Sequence, residues 1–312
     1  MLLTGAQAVV LPTNRAGRDY VVGDIHGQRV LLERLLKAVN FSPDRDRLIA
    51  LGDLVDRGPA SEWMLEQVAV AQRSWLISVR GNHESMLMDT ARDASAAKVW
   101  LANGGEWAMR ISEARLRELA EIAQAMPIAI EVPLADGRRI GCVHAEVGIG
   151  LSWTEMVNAL TSKADEVKGA SEAAIWGRKR YVADARAIRM PRPKAQSAWR
   201  IVQTWHAMQP IPGIDRVYAG HSVLSPRVPR GRGNTLFLET GAYLDKGEMT
   251  LVDLAAEVYW QTGHWGDGVD GPLELASPAP PAEAWRPDDK TISRAQQQES
   301  FLPHGHRPEG EP

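Results

Sequence analysis

The chain has little cysteine and no long apolar stretch. A single cysteine, Cys142, occurs among 312 residues, so a disulfide framework within the chain is excluded. No apolar run approaches the roughly 18 residues of a membrane-spanning helix. The opening residues MLLTGAQAVVLP lack the basic segment of a secretory leader. We expect a soluble, cytoplasmic protein with no membrane partner.

An excess of charge of one sign is also missing. The 36 Lys and Arg nearly balance the 39 Asp and Glu, which leaves a formal net charge of −3. Such a surface creates no strong field, and nothing in it favours nucleic acid as a partner. What the chain does have is 44% hydrophobic residues, enough for a core of ordinary size in one large or two smaller domains.

The first half alternates between the periods of strands and helices. Short β-branched runs at 19–23, 47–52 and 75–79 predict buried strands. Between them, apolar residues recur at helical spacing in 28–39 and 61–72. This order predicts an α/β fold with right-handed crossovers and a sheet that contains parallel strands.

The rest of the chain mixes helices with shorter strands. The turn at Asp136 and Gly137 joins IAIEV to RIGCVH and predicts a hairpin. The other predicted elements are helices at 95–103 and 112–125 and strands at 216–220, 235–240, 249–254 and 256–260.

Composition divides the chain into three parts. Residues 1–18 form a predicted lead-in, and 19–263 form one predicted folded domain. Within that domain, 151–210 is mixed and basic, and we interpret it as a helical and loop insertion that roofs the cleft. From 264 to 312 proline, glycine and charge dominate and apolar periodicity ends, which predicts a disordered tail.

Polar clusters follow the predicted strands of the first half. They read GDIHG at 23–27, GDLVDRG at 52–58 and RGNHE at 80–84, and two later strands lead into His144 and His221. In open α/β sheets ligands bind beyond the carboxyl ends of the strands, so these clusters should converge at one edge.

The residues in these clusters are typical metal ligands. Carboxylate, amide and imidazole donors without a thiolate suit Mn, Fe, Zn or Mg. The set is larger than one metal needs, and a carboxylate can bridge two cations held about 3.5 to 4 Å apart. Asp53, on the middle strand, is the natural bridge. The six candidates are Asp24, His26, Asp53, Asn82, His144 and His221.

Each cluster alone has a simpler interpretation. The pair Asp24 and His26 could be a turn with a surface histidine, and Asn82 could cap a helix. Asp53 and Asp56 could belong to a solvated loop. Five strand ends in order, each with Asp, Asn or His, favour the metal site instead.

The ordered motifs GDIHG, GDLVDRG, GNHE, HA and GH resemble those of the calcineurin-like metallophosphoesterases, specifically the phosphoprotein phosphatase superfamily. LANGGEW at 101–107 and IWGR at 175–178 are similar to its bacterial and bacteriophage branch, the lambda-type serine/threonine protein phosphatases. The resemblance covers about residues 19–254. It implies that 19–263 is a catalytic domain with a four-layer αββα sandwich, in which two mixed β-sheets are flanked by helices.

The resemblance also implies a role for each site residue. One metal would take Asp24, His26 and the bridging Asp53. His83 would be the general acid that protonates the leaving oxygen, with Asp56 holding its imidazolium, although a salt bridge from Asp56 to Arg57 is an alternative. A water or hydroxide shared by the metals would attack phosphorus directly. The second metal would take Asp53, Asn82, His144 and His221.

Three arginines match phosphate-binding positions of the family. Arg57 and Arg80 flank the ligands in sequence, and a guanidinium binds phosphate oxygens bidentately. Arg178 is the third, but the chain has Gly177 where relatives often carry Asn, and the RKR stretch could equally be a solvated basic loop.

Four further residues are expected around the site. Glu84 and Glu239 should support the ligands from behind or contribute packing. Trp107 and Trp176 are candidates to line the cleft. Cys142 lies within a predicted strand and should be a buried thiol rather than a nucleophile.

These features predict a phosphomonoesterase that acts on phosphoserine and phosphothreonine, and also on phosphotyrosine, in a protein or peptide partner. The alternative is a symmetrical bis(5′-nucleosyl)-tetraphosphatase, which hydrolyses diadenosine tetraphosphate. Those relatives tend to read GDLVARGP and GNHDLH, so Asp56 and GNHESM favour the protein phosphatase, whereas Gly58 and Pro59 are shared with the alternative. A catalytically silent binding module is disfavoured because no ligand is missing. The oligomeric state stays open.

Overall fold

The computed structural model describes most of the chain in one α/β arrangement. In the described part of the chain, twelve strands form two six-stranded mixed sheets. The described residues are 6–70, 75–162, 166–182, 205–264 and 269–272, together with Lys290, Ile292 and Ser293.

The strands are short, from three to six residues each. In chain order they are β1 (Ala8–Val10), β2 (Asp19–Val22), β3 (Arg47–Ala50), β4 (Leu76–Ser78), β5 (Ala129–Pro133), β6 (Arg139–Val143), β7 (Arg216–Ala219), β8 (Arg230–Arg232), β9 (Thr235–Phe237), β10 (Glu248–Asp253), β11 (Val258–Gly263) and β12 (Val269–Pro272).

The helices connect and cover these strands. Two short 3₁₀ segments, Ala94–Ala96 and Gly105–Arg110, flank the fourth helix. The α-helices are α1 (Arg29–Ala38), α2 (Ser61–Val70), α3 (Asn82–Arg92), α4 (Ala97–Leu101), α5 (Glu113–Ala125), α6 (Trp153–Thr161), α7 (Glu166–Trp176) and α8 (Lys179–Val182).

Both sheets contain a parallel segment that points toward the site. One sheet has the order β12-β11-β10-β2-β3-β4, and its strands β2, β3 and β4 are parallel. The other has the order β1-β5-β6-β7-β9-β8, and β6, β7 and β9 are parallel. The βαβ crossovers through α1 and α2 follow the alternation that the sequence predicts.

Three hydrophobic clusters separate four layers. Between the sheets, the inward faces of both contribute side chains such as Ile49 and Tyr218. Helices α1, α2, α3 and α5 cover the outer face of one sheet, with Leu35 of α1 fully packed there. Helices α6 and α7 cover the other sheet, where Trp153 is buried. The four-layer αββα fold class is confirmed.

Several elements differ from the predicted ones. The chain becomes helical at Asn82, directly after β4, whereas the sequence suggested a helix there only as an alternative. The predicted helix 95–103 is divided into a 3₁₀ segment and the short α4, which ends at Leu101 where Asn103 and Gly104 form a turn. Strands β1, β8 and β12 were not predicted.

The predicted limits of the domain are exceeded at both ends. Strand β1 lies in the lead-in 1–18 and pairs with β5, Ala8 opposite Ala129. Strand β12 lies beyond residue 263 and pairs with β11. The predicted tail 264–312 thus includes β12, which can pair through its backbone without an apolar pattern. Apart from β12, His264, Lys290, Ile292 and Ser293, the predicted tail lies outside the described residues, so its disorder stays a prediction.

The structure describes only part of the predicted roof. Of 151–210, helices α6, α7 and α8 and residues 205–210 are described, while 163–165 and 183–204 lie outside the described residues. Within the part of the chain that is described, no helix combines the length and apolarity needed to cross a membrane.

Candidate metal centre and active site

The predicted ligands meet where the parallel strands of both sheets end. Asp24 follows β2, Asp53 follows β3 and Asn82 follows β4, while His144 and His221 follow β6 and β7 of the other sheet. Across the sheets, the backbone N–H of His221 donates to the Asp24 carboxylate at 3.0 Å. All six predicted ligands are buried.

One group of ligand atoms comes from Asp53, Asn82, His144 and His221. The Asn82 Oδ1 lies 2.9 Å from His144 Nε2 and 2.9 Å from His221 Nδ1. The Asp53 Oδ1 lies 3.4 Å from His144 Nε2. His144 Nδ1 is 2.7 Å from the carbonyl oxygen of Leu51, which fixes the proton on Nδ1 and leaves a lone pair on Nε2. Lone pairs thus converge on one point, as a cation requires.

A second group shares the other oxygen of Asp53. His26 Nε2 lies 3.7 Å from Asp53 Oδ2, and His83 completes this cluster of possible ligand atoms. His26 Nδ1 is 2.9 Å from the Val55 carbonyl oxygen, so its proton is placed away from Asp53. Because Asp53 turns one oxygen to each group, its position fits the predicted bridge.

Burial favours neutral imidazoles at His26 and His221 and raises the pKa of most carboxyl groups around them. Burial lowers the pKa of His26 to about 3 and that of His221 to about 2. Burial and the negative charges of Glu239 and Asp53 raise the pKa of Asp24 well above its usual range. Burial alone would raise the pKa of Asp53, but its histidine neighbours lower it overall. Neutral imidazoles beside crowded carboxylates are a donor set that divalent cations fit.

Two buried glutamates support the site, as expected. Glu84 accepts hydrogen bonds from the backbone N–H groups of Asp53 at 2.9 Å, Leu54 at 2.7 Å and Gly81 at 2.8 Å. Glu239 accepts from the backbone N–H of the residue two positions later at 2.6 Å. Burial raises the pKa of Glu84 to about 7 and that of Glu239 to about 8.

The backbone at the site is held in an uncommon conformation. Positive φ angles occur at His26 (45°), Asp53 (48°), Asp56 (74°), Arg57 (68°) and His221 (66°). Non-glycine residues rarely adopt this region, and such strain concentrates at functional sites.

The predicted general acid and its partner are in contact. His83 Nδ1 lies 2.6 Å from Asp56 Oδ2, and the other ring nitrogen, Nε2, faces Asp53 Oδ2 at 3.8 Å. Burial would lower the pKa of His83, but the charge of Asp53 and the hydrogen bond to Asp56 outweigh it and raise the pKa. The imidazolium is therefore favoured, as a proton donor needs.

Two tryptophans donate hydrogen bonds to Asp56, a role that the sequence did not reveal. Trp100 Nε1 donates to Asp56 Oδ2 at 2.7 Å, and Trp107 Nε1 donates to Asp56 Oδ1 at 2.7 Å. Trp107 was expected to line the cleft, but its polar edge points at Asp56. Trp176 is 41% exposed and lies edge-on to His221, in keeping with a position at the cleft.

The three predicted arginines are placed differently. Arg57 lies over the ring of Tyr243 at 4.1 Å, with Nη1 2.6 Å from His26 Nε2. Arg178 donates to the Ser222 hydroxyl at 3.0 Å, beside His221. Both guanidinium groups therefore border the ligands.

Arg80 turns away from that position. Its guanidinium is buried and directs its Nη atoms at Gln7 Oε1, 3.1 Å away, and at Met88 Sδ, 3.8 Å away. Phosphate binding by Arg80 thus stays a prediction that its contacts do not support. The basic stretch after Gly177 is not uniformly solvated either, because Arg180 is buried and donates to the carbonyl oxygen of Val147 at 3.0 Å.

Fold and ligands together define a class, the metal-dependent hydrolases with an α/β sandwich. The profile of the calcineurin-like phosphoesterase family matches residues 19–225, and the chain belongs to this family of metal-dependent phosphoesterases.

Three similar proteins illustrate the range within this family. Serine/threonine-protein phosphatase 1 of Salmonella typhimurium is 30% identical over 236 residues, which cover 74% of this chain and 89% of the relative. The symmetrical bis(5′-nucleosyl)-tetraphosphatase of Paracidovorax citrulli is 37% identical over 150 residues, and the match covers 48% of this chain and 50% of the relative's length. A solved structure described as a putative diadenosine tetraphosphatase has a TM-score of 0.51 at 22% identity, covers 84% of this chain and all of its own, and shares the fold.

Proposed function

We propose that this chain is a dinuclear-metal-dependent phosphomonoesterase that hydrolyses phosphoserine and phosphothreonine in proteins, with phosphotyrosine as a further substrate. The observation that carries the proposal is the buried pair in which His83 Nδ1 lies 2.6 Å from Asp56 Oδ2. The leaving alkoxide of serine or threonine is a strong base, so its departure needs a proton donor. General acid catalysis of this kind contributes about 10²- to 10⁴-fold.

The ligands fit two divalent cations, and we propose manganese. When bound, these cations supply Lewis acidity and activate water for attack on phosphorus. Asp53 would be shared, since its two oxygens face different histidines. Asp24 and His26 would complete one position. Asn82, His144 and His221 would complete the other.

The residues around the ligands have distinct tasks. Arg57 and Arg178 would bind the phosphoryl oxygens through their guanidinium groups. His83 would give its Nε2 proton to the leaving oxygen as the P–O bond breaks, while water supplies the new oxygen on phosphorus. Ester and water thereby become alcohol and inorganic phosphate. Asp56 would hold the imidazolium in position through Nδ1.

A second candidate function is symmetrical cleavage of diadenosine tetraphosphate. The similarity to a symmetrical tetraphosphatase and the shared Gly58 and Pro59 favour it. We rank it second for two reasons. A nucleoside diphosphate leaves with far less need of a proton than an alkoxide does, so a strongly built acid pair suits the ester better. The phosphatase relative is also matched over most of its length.

The single cysteine fits the reducing cytoplasm, where we place the protein.

A paired assay tests the proposal. Purified protein loaded with Mn²⁺ is given a phosphoserine peptide and diadenosine tetraphosphate at equal concentrations. We expect a higher kcat/KM for the peptide. Preferential release of ADP would contradict the proposal and establish the second candidate.

A further inference from the structure

The carboxylate of Asp56 lies in a fully buried position, with an exposed fraction of 0%. A buried carboxylate is costly unless donors satisfy its oxygens. The His83 ring supplies one donor. The Asp56 backbone N–H donates to the Ser61 hydroxyl oxygen at 2.8 Å, a contact that does not involve the carboxylate. Among the described residues, the other donors to the carboxylate are the indole N–H groups of Trp100 and Trp107, each at 2.7 Å.

These two indoles hold both oxygens of Asp56. Trp100 donates to Oδ2, the oxygen that also contacts His83, and Trp107 donates to Oδ1. The indole planes stand at 88° to each other with ring centroids 5.9 Å apart, so the N–H groups approach from different directions. Donors at both oxygens prevent rotation about the bond from Cβ to the carboxylate carbon. The oxygen that faces His83 is thereby fixed.

The backbone packs closely against the Trp100 ring and is hydrogen-bonded to the segment that follows Asp56. A Cβ at Gly105 would lie 2.6 Å from the ring of Trp100. Gly104 has a φ of 103°, and its carbonyl oxygen accepts the backbone N–H of Arg57 at 3.1 Å. The segment that carries Trp107 is thus tied to the residue directly after Asp56.

An indole is suited to such a role for a chemical reason. Its Nε1–H donates and never accepts, and it does not titrate in the range where proteins work. It therefore satisfies the carboxylate without taking the proton that His83 must deliver.

We propose that Trp100 and Trp107 are positioning residues, which hold the Asp56 carboxylate so that His83 is aligned to protonate a poor leaving group. The inference rests on the proposed function, in which His83 is the general acid. It adds two residues to the acid pair of His83 and Asp56. These are Trp100 from α4 and Trp107 from the 3₁₀ segment Gly105–Arg110, and they hold Asp56 from behind.

The test uses substitutions that keep an aromatic ring and remove the N–H, Trp107→Phe and Trp100→Phe. Each is assayed, loaded with Mn²⁺, on a phosphoserine peptide and on p-nitrophenyl phosphate, whose leaving group departs without protonation. Loss of one hydrogen bond to a charged group should lower kcat for the peptide about 10-fold. For p-nitrophenyl phosphate kcat should change less than about 2-fold, because no proton is required there.

The matched control is Trp153→Phe. Its indole also donates to a buried carboxylate oxygen, Glu131 Oε2 at 2.8 Å, but in the core below the other sheet. This variant should leave the ratio of the two kcat values unchanged, even if it lowers the melting temperature. Trp100 is 1% exposed, so Trp100→Phe carries the greater risk of unfolding the protein. Trp107 is half-buried, and Trp107→Phe therefore provides the test if Trp100→Phe does not fold.

The possible outcomes separate this inference from the function on which it rests. A peptide-selective loss in the Trp107 variant supports the inference. An equal loss on both substrates, or none, overturns it, provided that His83→Asn itself shows the peptide-selective loss. If His83→Asn affects both substrates equally, the general acid role fails, and the inference fails with it.

Discussion

At the scale of single residues, function depends on which atoms of each side chain are free. The Nδ1 atoms of His26 and His144 are each turned to a backbone carbonyl oxygen, so their Nε2 lone pairs face the site, where that of His26 accepts from Arg57 Nη1. His83 is arranged in the opposite sense, with Nδ1 bound to Asp56 and its Nε2 proton directed into the site. Histidines of the same cluster thus serve as ligands or as an acid according to their hydrogen-bond partners.

The residue-scale prediction concerns His83→Asn. We expect kcat on a phosphoserine peptide to fall about 10²- to 10⁴-fold, the usual contribution of a general acid. Metal content, measured by inductively coupled plasma mass spectrometry, should stay near the wild-type value, because the side chain removed is not one of the proposed ligands. Loss of metal together with activity would show instead that His83 is a ligand, as its place in the cluster with His26 and Asp53 would allow.

Most site residues could be predicted from sequence because each follows a strand within a short motif. Asp24, Asp53 and Asn82 are found in this way. Trp100 and Trp107 could not, since they contact Asp56 from 44 and 51 positions away and no local pattern marks an indole that donates to a carboxylate. Motifs reveal residues that act near their own strand. They do not reveal hydrogen-bond donors that lie far away in the sequence.

At the scale of elements, the site is produced by strand direction. Parallel strands β2, β3 and β4 end at one edge, and β6 and β7 of the second sheet end at the same place. Helix α3 begins at Asn82, so its first turn directs the N–H of His83 to Asp53 Oδ1 at 3.0 Å. The positive end of a helix dipole favours a carboxylate there.

Elements with a clear apolar pattern were predicted well, and strands with a polar sequence were not. The face of α1 repeats Leu31, Leu32 and Leu35 at helical spacing, and all three are buried. Strands β8 and β12 read RGR and VDGP, which contain no apolar run that would mark a strand. Their pairing depends on backbone hydrogen bonds with neighbours that only the fold supplies.

The element-scale prediction concerns β12. A chain that ends at Pro272 keeps the strand, whereas one that ends at His264 loses it and leaves the edge of β11 unpaired. We expect the shorter chain to melt a few degrees lower, since a handful of backbone hydrogen bonds contribute about 1–3 kcal/mol in total.

Differential scanning calorimetry of both truncated chains and the full chain gives the comparison. Phosphoesterase activity should be equal in the two truncated chains, because β10 and β11 separate β12 from β2, the strand that leads to Asp24. Identical melting temperatures would mean that β12 contributes nothing to the sheet.

At the scale of the whole molecule, two sheets with separate helix layers are joined at a centre of buried carboxyl groups. The carboxylates of Asp24, Asp53, Glu84 and Glu239 all lie within the interior near this centre, and burial raises the pKa of three of them. Bound cations would displace protons from these carboxyl groups and would bind the folded chain far better than the unfolded one. Metal should therefore also stabilise the fold.

The measurement that tests the account most directly is the number of metal ions bound per chain. Protein stripped with a chelator is loaded with Mn²⁺, freed of excess metal, and assayed by inductively coupled plasma mass spectrometry, with Asp53→Asn as the matched variant. We predict about two ions per wild-type chain, as a two-metal phosphoesterase requires, and a clear deficit in the variant because the shared carboxylate has lost its charge. One ion or none in the wild type, or full occupancy in Asp53→Asn, would contradict a bridged two-metal centre.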